Sequence, residues 1–157
     1  MSDRGAHFFR CDLQVHTPRD INWTGSECVT NEGRREYAAQ LVQACRDRGI
    51  QGIAITDHHD MAFVPYVRRA AAEETGPKGK PLSKEQQLVV FPGMELTLAV
   101  ACQALLLFDA EFPDDLFDLA MKALAITPSP SGDVAERLDP IFYGDAPVAG
   151  NKALGMS

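Results

Sequence analysis

Apolar residues fall in two rhythms along this chain. Over Phe8 to Val15 they alternate, with Phe9, Cys11, Leu13 and Val15 set against Arg10, Asp12 and Gln14, which predicts a half-buried strand. His16-Thr17-Pro18 ends it, because Pro18 has no N–H to give to a ladder. From Asn31 to Arg48 the spacing becomes helical, with Tyr37, Leu41, Ala44 and Cys45 on one face. Thr30 or Asn31 can cap that helix, and Gly49 suits its exit. Residues 51–56 are a short apolar run that reads as a buried strand. Strand, helix and strand with short joins predict a βαβ unit with parallel strands.

A second helix is predicted over residues 61–74, with Pro65 tolerable only in its first turn. Residues 76–81 break it as an exposed connection. They lack the Gly-x-x-x-x-Gly-Lys-Ser/Thr spacing of a phosphate loop. Three more strands are expected at Leu88 to Phe91, Glu95 to Val100 and Gln103 to Phe108. Leu105-Leu106-Leu107 is apolar on both faces, as a covered central strand would be. Pro113 and Asp114 open a helix to about Leu124, with Leu116, Phe117, Ala120 and Leu124 inward. Beyond Ile126 the pattern fades, apart from a short helix at 134–138. The division is therefore an α/β domain over residues 1–126 and an irregular tail over 127–157.

Composition sharpens this picture. At 157 residues, 45% of them hydrophobic and 24% charged, the chain is most simply one globular domain with a real core. A net charge of −7 argues against nucleic acid held on a basic face, although bound cations would still admit a phosphate group. Cys11, Cys28, Cys45 and Cys102 form no metal-finger or C-x-x-C spacing, and the amino terminus has no apolar leader, so reduced thiols and a cytoplasmic location are expected. Asn22-Trp23-Thr24 matches a glycosylation acceptor only by chance on that reading. No run is long enough to span a membrane. Trp23 is expected to cover the edge of the core, or else to wall the pocket.

The candidate chemistry sits where strands end. Thr56-Asp57-His58-His59-Asp60 follows the second strand, His16 the first, and Glu95 comes soon after Phe91-Pro92-Gly93. In α/β folds the carboxyl ends of parallel strands are where metals and ligands are held. Imidazole nitrogens with carboxylate oxygens suit zinc, manganese or iron rather than calcium. His16, Asp57, His58 and Glu95 are the expected ligands. His58, Asp57 and His59 are the expected catalytic residues, with Asp60 a further group near a leaving group.

These stretches resemble the PHP family, named for polymerase and histidinol phosphatase. Asp12-Leu13-Gln14-Val15-His16-Thr17 resembles its Asp-Leu-His-x-His-Ser/Thr segment, Ile55-Thr56-Asp57-His58 its Thr-Asp-His segment, and Pro92-Gly93-Met94-Glu95 its Pro-Gly-x-Glu segment. The resemblance implies the front part of a distorted (βα)7 barrel with mostly parallel strands, metal ions at the strand ends, and hydrolysis of phosphomonoesters or phosphodiesters. It also implies that Asp12 orients a ligand from behind. Gln14 stands where the family's first histidine is expected, and Gln103 where a later strand often carries another. All four histidines (His7, His16, His58, His59) precede residue 60, so the family's later ligands have no counterpart. The likeness covers about residues 8–125, whereas barrels of related kind need roughly 200 residues or more. Gln14, Gln103 and Phe108-Asp109 look like the PHP modules at the front of long ATPase-associated proteins. The expectation is a metal-dependent phosphoesterase. The alternative is a degenerate module that serves as a scaffold, self-associates, or belongs to a larger parent protein.

Overall fold

The computed structural model describes residues 8–26, 28, 30–76, 79–97, 102–124 and 126. The expected tail at 127–157, the short helix at 134–138, His7 and the far end of the strand expected to reach Val100 lie outside the described residues. Four strands form one curled mixed sheet, a half-barrel, in the order β1 (Cys11–Val15), β2 (Gly52–Ile55), β3 (Val89–Thr97), β4 (Gln103–Leu107). β1 with β2, and β2 with β3, are parallel. β3 and β4 are an antiparallel pair. The expected α/β class and βαβ order are present.

The helices follow their sequence signals. α1 (Asn31–Asp47) starts at Thr30, whose hydroxyl accepts the Gly33 N–H at 3.0 Å. That bond satisfies one of the free N–H groups of the first turn. Gly49 leaves it at φ 66°, a conformation without penalty for glycine. α2 (Val64–Ala72) carries Pro65 in its first turn, the one place where it is tolerated. α3 (Phe117–Ala123) is preceded by a 3-10 turn, Asp114–Leu116. α1 and α2 pack on each other, and Val42, Cys45, Val64 and Val67 join Ile53, Ile55, Val90, Met94 and Leu96 in the main core. Among the described residues no helix is long and apolar enough to cross a membrane.

Three expectations change. The strands expected at Leu88 to Phe91 and from Glu95 onward are one strand, β3. Its first half pairs with β2 through Pro92 and its second half with β4 from Gly93. Pro92 therefore falls at the handover between ladders, where its missing N–H interrupts least. Second, β4 is not covered on both faces, since Leu105 and Leu107 remain 42% and 38% exposed. It is an edge of the described sheet, as is β1, in which Leu13 is 45% exposed. Third, Leu116 faces outward while Met121 is buried, because the 3-10 turn shifts the phase of the apolar stripe.

Gly76 N–H reaches Lys80 O at 2.8 Å, and Gly79 stands at φ 66°. Trp23 packs edge-on against Tyr37, 5.7 Å between centroids, and Tyr37 edge-on against Phe63, so Trp23 covers an aromatic edge of the core.

Candidate metal centre

The centre is built where β1 and β2 end beside β3, with Glu95 inside that third strand rather than at its end as the sequence suggested. After β1, Asp20 N–H closes a turn on Thr17 O at 2.8 Å, with Pro18 at its second position, where proline's fixed φ is already correct. That turn folds Asp20 back beneath His16. After β2, the backbone bridges to β3 at His58 and Glu95. His59 then reverses direction at φ 53°, an unusual state for a residue with a Cβ. Glu95 sits on β3 at the same level.

His16 and His58 stack, with centroids 5.2 Å apart and planes at 17°. Each ring spans two carboxylates. Their Nδ1 atoms both lie 2.9 Å from Asp20 Oδ2. Their Nε2 atoms lie 3.2 Å and 3.6 Å from Glu95 Oε2 and Oε1 respectively. Asp20 also takes the backbone N–H of His58 at 2.7 Å and that of Asn22 at 2.7 Å. Burial opposes its charge, but the hydrogen bonds from His58 and Asn22 prevail and hold the carboxyl well below the usual carboxylate range. The bond to Asp20 in turn raises the His58 imidazole, against the effect of burial.

Three amides stand around this core. Gln14 Nε2 donates to Glu95 Oε2 at 3.0 Å. Gln103 Nε2 and Asn22 Nδ2 lie 3.3 Å and 3.5 Å from His58 Nε2. The structure thus brings together His16, His58, Glu95, Gln14 and Gln103 of the residues singled out from sequence. It adds Asp20 and Asn22, which sequence reasoning missed. The Thr-Pro-x-Asp turn after His16 was the available signal for Asp20.

The other expected site residues lie behind or apart. Asp57 is fully buried, its Oδ1 accepting Thr17 N–H at 2.7 Å and its Oδ2 paired with Thr17 Oγ1 at 2.6 Å. Burial pushes its carboxyl up to about 8, against those bonds and with help from Asp20 and Asp60. His59 is buried beneath the centre and accepts Thr97 N–H at Nε2, at 3.1 Å. Its Nδ1 is buried without a hydrogen-bond partner, so nothing rewards a second proton. Burial, with His58 nearby, lowers it to about 4. Asp60 caps Ala62 N–H and lies 3.5 Å from Arg19. Asp12 accepts Gln14 N–H and borders a groove with Cys45 and Arg48 on the helix side, away from the imidazoles.

Asp20, Asp57, Asp60 and Glu95 are all at most 3% exposed. Carboxylates so concentrated out of water call for positive charge nearby. Two imidazoles and two carboxylates are a donor set suited to zinc, manganese or iron. Ligand atoms of His16, Asp20 and His58 lie within 4.8 Å of one another, a group that could hold a metal ion. No family model matches this chain, and no curated protein matches it.

Proposed function

We propose that this chain is the front part of a PHP-like barrel that binds a divalent transition metal and hydrolyses phosphoesters. The observation that carries the reading is the meeting of His16 and His58, which follow the ends of β1 and β2, with Glu95 inside β3, at imidazole-to-carboxylate distances of 3.2 Å and 3.6 Å. Bound there, the ion would supply a Lewis acid for a phosphoryl oxygen and lower the pKa of water toward neutrality. The chain's own contribution is orientation. Asp20 holds both rings, Gln14 holds Glu95, and the Gln103 and Asn22 amides face the open edge of His58, where they would donate to phosphoryl oxygens. Asp57 and His59 are positioning residues in this reading, since neither side chain opens onto the rings.

A second reading is favoured by the amides themselves. Gln14 and Gln103 occupy positions where the resemblance leads one to expect imidazole ligands, and a neutral amide is the weaker donor. Such a centre would be structural or vestigial, and the domain a scaffold. Metal analysis of the purified chain, with turnover of bis(p-nitrophenyl) phosphate under manganese or zinc, separates the two. The hydrolase reading expects bound metal and turnover, both lost in His58→Ala. Metal-dependent turnover that survives in His58→Ala would sink it, as would its complete absence from a folded, metal-loaded chain.

A further inference from the structure

α1 and α2 pack side by side, joined near their starts by Tyr66 Oη–H donating to Asn31 Oδ1 at 2.6 Å and near their ends by Arg46 and Glu74. Between them lies a groove of about 630 Å³. Each wall is one helical stripe, with Arg35, Ala39 and Val42 on α1 and Tyr66, Arg69 and Ala70 on α2. From Arg35 to Arg46 the α1 wall runs about 16 Å at the helical rise. Val42 is buried at the floor, and the short side chains of Ala39 and Ala70 leave the space above it open.

The three arginines of the groove are not equally engaged. Arg46 is occupied, its Nη2 standing 2.7 Å from Glu74 Oε2, and that oxygen also accepts the Leu88 N–H at 2.8 Å. Arg69 meets Glu73 at 2.9 Å, but the two side chains are 59% and 64% exposed, and a pair so placed contributes little in water. Arg35 makes no hydrogen bond or ion pair with any described residue. Arg35, Arg46 and Arg69 against Glu73 and Glu74 leave one positive charge in excess. That is too little for a polyanion, whose binding rests on many cations at once. It suits one acid group, since the guanidinium fork matches two oxygens of a carboxylate or phosphate. The volume falls in the range of about 300–1,000 Å³ typical of small-molecule sites.

We propose that the α1–α2 groove binds a small organic acid. Arg35 holds its carboxylate or phosphate, Arg69 turns from Glu73 to join it, and the apolar body of the ligand lies over Val42 between Ala39 and Ala70, beside Tyr66. The groove shares no residue with the imidazole centre, and the proposal does not depend on the function proposed above.

The test is NMR titration of the full chain with 4-phenylbutyrate and with phenylphosphonate, reading the arginine Nε–H and Tyr66 ring signals. Inorganic phosphate supplies the acid group alone and benzyl alcohol the apolar body alone. The expected result is a saturable shift at Arg35, Arg69 and Tyr66 with at least one of the two joined probes, which binds more tightly than either half. Saturation by phenylbutyrate alone assigns a carboxylate ligand, and by phenylphosphonate alone a phosphate ligand. Arg35→Gln should weaken that binding at least ~10-fold through the lost charge-assisted bond. Ala39→Leu, at an exposed position of α1 where leucine is a good helix former, should weaken it by filling the groove with the charges kept. No saturable shift with either joined probe, shifts confined to His16 and His58, or unchanged affinity in Arg35→Gln would overturn the proposal. Inorganic phosphate binding as tightly as the joined probes, or unchanged affinity in Ala39→Leu, would overturn the place given to the apolar body.

Discussion

Both oxygens of Asp57 are taken by Thr17, through its N–H and its hydroxyl, so this carboxylate ties the end of β2 to the end of β1. The link matters because His16 and His58 are the immediate neighbours of the tied residues. Replacing Thr17 by Val keeps the shape and leaves Asp57 Oδ2 unpaired in the interior, a change that destabilises by about 1–3 kcal/mol. Urea unfolding checks this: Thr17→Val should unfold at lower urea than Thr17→Ser, and equal midpoints would contradict the tie. Tyr37 provides a separate pH signature. Burial, with Asp57 adding repulsion, pushes its phenol up to about 12. An unfolded tyrosine loses its proton near pH 10 while the folded one keeps it. The unfolded state thus binds fewer protons between pH 10 and 12, and the stability that Tyr37 contributes below pH 10 is lost as pH rises through 12. Phenolate absorbance should show a late-titrating phase that disappears in Tyr37→Phe.

At the scale of elements, β3 holds the site in register. Its Gly93 lies where an added Cβ would stand 2.7 Å from the backbone oxygen of Leu106, which cannot move aside without parting β3 from β4. Gly93→Ala is expected to destabilise by about 1–3 kcal/mol and to weaken metal binding by shifting Glu95 two residues on. Thermal unfolding and a zinc titration check the two effects, and an alanine variant as stable as the parent would contradict the close approach. Thr30→Ala should remove about 1 kcal/mol through the lost cap of α1, without touching metal affinity. Helices were the most legible elements, because Thr30, Pro65 and Gly49 mark their ends through local chemistry. β3 was less so, since Pro92-Gly93 is a breaker in almost any strand. Only the change of partner, a tertiary fact, makes it fit there. His16, His58 and Glu95 were readable from their places after apolar runs. Asp20 was not, because it reaches the imidazoles through a turn, and turns bring side chains together without any periodic signal.

At the scale of the whole molecule, two parallel βα steps and one hairpin make a half-barrel whose rim carries buried acid and whose open edges carry exposed leucine. The sequence pattern foretold the α/β order and the parallel start. It could not foretell that Leu105 and Leu107 stay open, because an apolar run says what a strand can bury and not what covers it. On the proposed reading, a cation bound beside the buried carboxylates would contribute to stability. Zinc or manganese at about 100 times its dissociation constant should add about 2.7 kcal/mol to unfolding, and the matching rise in Tm should vanish in Glu95→Gln.

The proposed binding of one ion between His16, His58 and Glu95 is tested most directly by anomalous diffraction from crystals of the full chain grown with manganese or zinc. The account predicts one peak within bonding distance of both Nε2 atoms and a Glu95 oxygen, with Asp20 on the far side of the rings. A map with no peak there at saturating metal, or with the imidazoles turned away from Glu95, would contradict it.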